Sequence, residues 1–198
     1  MKKVLFFVAA FAATLFGSAI SAEEETLYLE MERLHNQDSE GVSRGTLHLE
    51  GLLTDTLGYY ARYYQESSGF KETYVGPRFI IFSSDLLWLE AGVAIGREDD
   101  GEGLSGVRRN AYYFAENDKF YLSGDYEDGV TGQWHQNIFI YRATEKIGIG
   151  AMEESWYGFG PRLEFTVNDH ITISGARLYE DELREKTWLV NITFAFGQ

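Results

Sequence analysis

Three observations predict that this chain is all-β, folded as a single antiparallel up-and-down transmembrane β-barrel of about twelve strands, with ten or eight as the alternatives. The first is the C-terminal stretch W-L-V-N-I-T-F-A-F-G-Q over 188–198. Trp188, Val190, Ile192, Phe194 and Phe196 fall on one side of an extended strand, and Leu189, Asn191, Thr193 and Ala195 on the other. The second is that similar alternating segments precede it throughout, each near the 9–11 residues that cross a bilayer when tilted. The third is the rhythm of the connections, in which tight turns alternate with longer acidic or glycine-rich loops.

Composition supports sheet and excludes several classes. Lys2 and Lys3, the apolar run from Val4 to Phe16 and the small residues Gly17, Ser18, Ala19, Ser21 and Ala22 read as a secretory signal peptide over 1–22. Cleavage is expected after Ala22, with Ala19 as the alternative, leaving 23–198 as the barrel. No other segment offers about 18 consecutive apolar residues, so no transmembrane helix is expected. There is no cysteine, so an exported chain of this kind has no disulfide to rely on. Two prolines, 21 glycines and 16% aromatic residues suit strands and turns. A net charge of −14 argues against nucleic acid, whose recognition needs clustered Lys and Arg.

The strands are expected at 26–34, 45–54, 57–65, 73–82, 86–96, 106–116, 119–126, 132–142, 145–152, 157–167, 171–179 and 187–196. Tight turns join them at Thr54-Asp55-Thr56, Ser83-Ser84-Asp85, Asn117-Asp118, Ala143-Thr144 and Asn168-Asp169-His170. The intervening connections, 35–44, 66–72, 97–105, 127–131, 153–156 and 180–186, are mostly longer. An even strand count puts both termini at the tight-turn end.

Hairpin register follows from opposing the side chains. Folding 73–82 onto 86–96 about Ser84 sets Val75 against Val93, Phe79 against Leu89, Ile81 against Leu87, and on the other face Arg78 against Glu90 and Ile80 against Trp88. About Asn117-Asp118, Tyr113 meets Leu122, Glu116 meets Lys119 and Asn110 meets Asp125. About Asp169, Phe165 meets Ile173, Val167 meets Ile171 and Thr166 meets Thr172. Gly76-Pro77-Arg78 and Gly160-Pro161-Arg162 recur inside strands, where a proline removes a ladder donor, and both are expected to mark bulges.

The two faces differ sharply. One carries Leu47, Leu49, Val75, Phe79, Ile81, Leu89, Val93, Ile95, Leu122, Ile138, Ile140, Ile147, Ile149, Leu163, Phe165, Val167, Ile173 and the 188–196 set. The other carries Glu30, Glu32, His48, Glu50, Arg62, Arg78, Glu90, Asn110, Asp125, His135, Asn137, Arg162, Glu164, Thr166, Thr172, Ser174 and Asn191. In a dry core each unpaired charge would cost several kcal/mol; in a wet lumen it costs little. The charged face is therefore expected inside and the apolar face against lipid. Tyr59, Tyr63, Tyr113, Tyr126, Trp134, Tyr157 and Trp188 lie near strand ends, where the headgroup level favours Trp and Tyr.

Three chemistries are open to these residues. Catalysis would need a loop serine (Ser39, Ser43, Ser67, Ser68, Ser105 or Ser155) beside His48 or His135, and nothing in the sequence fixes one there. The loop Arg97-Glu98-Asp99-Asp100-Gly101-Glu102-Gly103 offers oxygen ligands but not the spacing of a calcium loop, and reads as a solvated acidic loop. Neither a metal nor another cofactor is expected. The lumen charges offer the third: Arg62, Arg78 and Arg162, with Arg108 nearer the rim, facing Glu30, Glu32, Glu50, Glu90 and Glu164. Opposed tracks set ion selectivity; mutual pairing stiffens or plugs the barrel. The constriction candidates are Arg62, Arg78, Glu90, Arg162, Glu164, Glu50 and His48.

An export signal, alternating strands, short inner turns and an aromatic-ended last strand together resemble the bacterial outer-membrane β-barrels. In architecture the chain also resembles the small monomeric oligogalacturonate-specific porins, whose luminal arginines Arg62, Arg78 and Arg162 echo. The resemblance implies a monomer in the outer membrane of the Gram-negative envelope, in contact with outer-membrane lipid and lipopolysaccharide. It also implies insertion by the barrel-assembly machinery through the C-terminal strand. The expected activity is passive diffusion of small hydrophilic solutes through a narrow charged lumen, with cations preferred at an acidic mouth. A closed surface-binding barrel and a rim hydrolase are the alternatives.

Overall fold

A computed structural model describes residues 25–36, 41–180 and 185–197. The signal peptide over 1–22 lies outside the described residues. Twelve strands follow in chain order: β1 (Glu25–Asn36), β2 (Ser43–Leu52), β3 (Leu57–Glu66), β4 (Lys71–Ser84), β5 (Leu87–Asp99), β6 (Ser105–Glu116), β7 (Phe120–Gly129), β8 (Gly132–Arg142), β9 (Ile147–Glu154), β10 (Gly158–Asn168), β11 (Ile171–Glu180) and β12 (Glu185–Phe196). Each pairs antiparallel with its neighbours, and β12 closes on β1, with Leu27 opposite Phe196 and Met31 opposite Ile192. Closure leaves no sheet edge, so every strand finds its ladder partners within the barrel.

Strand order and number match the expectation. The main difference at the boundaries is that several strands run two to four residues further at the loop end, as β4 begins at Lys71, β5 reaches Asp99 and β7 reaches Gly129. The acidic segments read as loops from their polarity are partly strand, because a strand that leaves the bilayer no longer needs an apolar side.

Hairpin registers are corrected in two of three cases. Arg78 lies opposite Gly92 rather than Glu90, and Val75 opposite Ile95 rather than Val93. At the second hairpin Asn110 lies opposite Glu127 rather than Asp125, and Tyr113 opposite Gly124. Both registers slip by two residues, which keeps each side chain on its face, so facial patterning alone cannot tell them apart. At the third hairpin Thr166 faces Thr172 and Phe165 faces Ile173 as expected, but an irregularity beyond Thr166 sets Asn168, not Val167, against Ile171.

The prolines do not mark bulges. Pro77 stays in register against Tyr59, and Pro161 against Ala151. The register shifts lie further on, between Ile80 and Phe82 and between Thr166 and Asn168. The first shift turns both Ile81 and Phe82 outward while Ile80 stays buried.

Gly92 opposite Arg78 has a steric reason. Tyr60 and Tyr112 meet edge to face there, with centroids 4.8 Å apart, and a Cβ on Gly92 would run into both rings. Gly92→Val is expected to lower stability by about 1–3 kcal/mol through overpacking. Urea unfolding of the refolded barrel checks this, with the exposed Gly103→Val as a comparison for strain alone, since Gly103 has a positive φ and open space around it.

The outer surface carries the apolar residues expected against lipid, Val75, Phe79, Val93, Ile95, Leu163, Phe165, Trp188 and Val190 among them. One strand is reversed. On β8, Ile140 is buried, while Phe139 and Tyr141 are exposed. Trp134, Gln136 and Ile138 line the interior. His135 and Asn137 therefore face outward, against expectation. The reason lies in the interior itself, which is not uniformly polar. Leu34, Met152, Ala176, Leu178 and Leu189 form a buried apolar cluster inside the loop half, and Ile138 and Tyr157 pack against it. Trp134 and Tyr157 thus belong to the interior rather than to an aromatic belt.

Candidate functional site

Alternation along β2, β3, β4, β5, β6, β7 and β10 aims two charged residues of each strand inward, among them Arg44, Arg62, Arg78, Glu90, Arg108 and Arg162. Three cavities follow one another along the interior. One of about 740 Å³ lies towards the tight-turn end, lined among others by Tyr28, His48, Glu50, Arg78, Trp88 and Glu90. One of about 350 Å³ lies under the loops, lined among others by Phe70, Glu72, Arg108, Trp134 and Trp156. A space of about 90 Å³ separates them. Arg62 lines all three, Arg44 the outer two and Arg162 the inner two.

Arg62 and Arg44 are held by contacts that cross the barrel, and Arg162 by contacts on its own and neighbouring strands. Arg62 on β3 pairs with Asp125 on β7, and with Glu127 at 3.5 Å. Arg44 on β2 reaches Glu154 at the end of β9 at 2.5 Å, and also Glu32 at 2.9 Å and Glu66 at 3.2 Å. Arg162 pairs with Glu164 at 2.9 Å and donates to the Ser174 hydroxyl at 2.8 Å, while the Tyr121 hydroxyl donates to the Glu164 carboxylate at 2.5 Å. The Tyr60 hydroxyl donates across the lumen to Asn110 at 2.6 Å. The charge-assisted bonds of the three arginines fix long side chains in one geometry.

In the inner cavity Arg78 pairs with Glu90 at 2.6 Å and Glu50 at 3.2 Å. The bond to Glu90 survives the two-residue change of register because diagonal neighbours remain within reach of a long side chain. His48 stands opposite Arg62, 3.4 Å from Glu50, and stacks on Tyr60 at 5.9 Å. Trp88 Nε1 donates to Glu90 at 2.8 Å. The seven constriction candidates therefore divide between two places: Arg62 and Arg162 border the narrow space between the cavities, and Glu164, Arg78, Glu90, Glu50 and His48 line the inner cavity.

The densest charge cluster lies under the loops. Arg108 pairs with Glu98 at 2.7 Å, Glu127 at 2.8 Å and Glu72 at 3.0 Å, and its Nε also donates to the Tyr74 hydroxyl at 2.9 Å. Arg44, Glu66, Glu72, Glu98, Glu127 and Glu154 were not among the expected lumen residues, because they fall where the sequence reads as loop. A signal existed: each continues the parity of its strand, Glu72 with Tyr74, Glu98 with Glu90, Glu127 with Asp125 and Glu66 with Arg62.

The acidic loop 97–103 spends Asp100 on itself: its Oδ1 accepts the backbone N–H groups of Glu102, Gly103 and Leu104 at 2.8–3.0 Å. Among the described residues no three His, Asp or Glu side chains are grouped to hold a metal ion.

One serine does meet a histidine. Ser155 Oγ lies 2.8 Å from His135 Nδ1, and Glu153 lies 3.7 Å from His135 Nε2, all on the outer side near the loops. The same Oγ accepts the His135 backbone N–H at 2.8 Å, and the Ser155 N–H donates to the His135 carbonyl at 2.9 Å. Three contacts between these two residues at a strand end make a clasp that continues the β8–β9 ladder by one rung.

No family model matches the sequence, and no curated protein matches it. Solved structures do. Outer membrane phospholipase A from Escherichia coli superposes with a TM-score of 0.58 at 12% identity, over 90% of this chain and 93% of that one. A KdgM porin superposes with a TM-score of 0.57 at 10% identity, over 85% and 99%. The fold is that of the outer-membrane β-barrels. A NanC porin gives a TM-score of 0.51 at 10% identity, over 84% and 98%. Identities this low speak for the fold and leave the activity to be argued from the interior.

Proposed function

We propose that this chain is an outer-membrane channel of low conductance for small hydrophilic solutes, with Arg44, Arg62 and Arg162 as its selectivity waist. The carrying observation is the row of three cavities, each lined in part by charged side chains, that share these arginines. A cation at the waist makes a positive barrier, and the carboxylates around it, more numerous than the arginines, make the flanking cavities attractive to cations. The porin-like fold supports the reading, as does the apolar exterior. The acidic loops add a negative mouth whose effect fades as salt rises.

Planar-bilayer recording on the refolded mature chain tests it. Discrete steps of low conductance are expected, with reversal potentials in a salt gradient that report cation preference, weaker at high salt. A barrel that inserts and stays silent overturns the channel reading. Such a barrel would turn attention to the Ser155–His135 pair, the observation that favours a rim hydrolase. Against it, the Ser155 hydroxyl already accepts a backbone N–H, and the ring meets serine through Nδ1, where Ser-His-Asp hydrolases use Nε2. Loss of phospholipid hydrolysis in Ser155→Ala would establish that second reading.

A further inference from the structure

We infer that the outer face of β11, β12 and β1 holds a binding site for the phosphate of an outer-leaflet glycolipid headgroup, centred on Arg177 and Lys186. The inference rests on the membrane setting proposed above and not on conduction.

Arg177 alternates with Ile173 and Gly175 on the outward side of β11, and Lys186 with Trp188 and Val190 on the outward side of β12. The two strands are directly paired, Arg177 opposite Trp188 and Tyr179 opposite Lys186. On the other flank of β12, His35 stands opposite Trp188 and Arg33 opposite Val190. Four basic or titratable residues thus share one patch on a strongly acidic chain.

Depth places the patch at a headgroup level. From Trp188 to Phe196 the strand runs about 26 Å, or about 20 Å along the barrel axis after tilting, close to the height of an outer apolar band. The residues between, Val190, Ile192 and Phe194, are apolar on that side. Trp188 is 51% exposed and Tyr179 38% exposed, and both belong to the loop-end girdle.

Arg177 is prepared for an anion. Its guanidinium lies over the Trp188 ring at 4.9 Å and over the Tyr179 ring at 5.1 Å. Two aromatic contacts fix the plane of the group without neutralising it. Its Nε is buried and lacks a hydrogen-bond partner in the described structure. Among the described residues neither Arg177 nor Lys186 makes an ion pair, whereas the outward Lys71 and Arg109 are paired with Asp99 at 3.1 Å and Asp128 at 3.4 Å. A planar guanidinium without an ion-pair partner beside an ammonium suits a phosphate, and an acyl chain below it would lie on Ile173 and Val190.

The full mature chain, refolded in neutral detergent, is incubated with diphosphoryl lipid A, with dephosphorylated lipid A, or with diphosphoryl lipid A plus millimolar inorganic phosphate. Bound lipid is then counted by native mass spectrometry. Diphosphoryl lipid A is expected to be retained at least about tenfold better than the dephosphorylated form, and Arg177→Gln with Lys186→Gln to abolish that preference. Arg109→Gln is expected to leave it intact. Equal retention of the two lipids overturns the site, as does an equal loss in Arg109→Gln. Displacement by inorganic phosphate would make it a free-phosphate site and overturn the lipid assignment. If the double variant fails to fold, the wild-type arms still decide. Insertion into lipid vesicles, measured separately, tells failure of this site from failure of the membrane setting.

Discussion

Replacing Arg108 with methionine is expected to cost about 3–5 kcal/mol of barrel stability, the penalty for leaving buried charges without their partner. Arg108 is 3% exposed in its side chain, and the three carboxylates around it, Glu72, Glu98 and Glu127, are 0–3% exposed. Removing the cation leaves three acids facing one another where little water reaches them. Glu98 keeps the Thr131 hydroxyl and N–H, at 2.6 and 3.0 Å, but Glu72 keeps only the Tyr74 hydroxyl at 2.9 Å. Urea unfolding of the barrel in lipid vesicles, followed by tryptophan fluorescence, measures the loss. Adding Glu72→Gln and Glu127→Gln to the methionine variant is expected to restore part of it. A loss under about 1 kcal/mol would mean that these charges are solvated and that the cluster behaves like a surface ion pair.

The second large effect is expected at the waist. Arg62→Ser is expected to raise single-channel conductance at least about twofold and to strengthen cation preference, because it shortens a side chain bordering all three cavities and removes a positive charge from the path. The same substitution frees Asp125, which still accepts from Asn110, so folding should survive better than in the Arg108 variant. Planar-bilayer recording of wild type and variant under one salt gradient measures both quantities. Unchanged conductance would move the narrowest point to Arg44 and its partner Glu154, the contact that crosses from β2 to β9.

The two predictions draw on residues that the sequence revealed to different degrees. Arg62 was legible because it lies mid-strand, two positions from Tyr60 and Tyr64 on the same face, with apolar or small neighbours between. Arg108 was legible as an inward residue, but its partners were not. Glu72, Glu98 and Glu127 sit where strands have already left the bilayer, and there the apolar half of the alternation that identifies a strand disappears. His135 and Asn137 were misplaced for the opposite reason. Reading β8 by putting isoleucines against lipid is sound only if the interior is polar throughout, and the cluster around Met152 and Leu178 makes that false on one side.

The chain by itself determined the order of the strands, which end carries tight turns, and which face of most strands is charged. These follow from period-two patterning and from turn residues, both local properties. Only the tertiary structure decided hairpin register, because a two-residue slip preserves every face. Only it decided which arginine meets which acid, because Arg44 and Glu154 are 110 residues apart and are brought together solely by closure of the barrel. Closure is a property of all twelve strands at once, and no segment of the sequence states it alone.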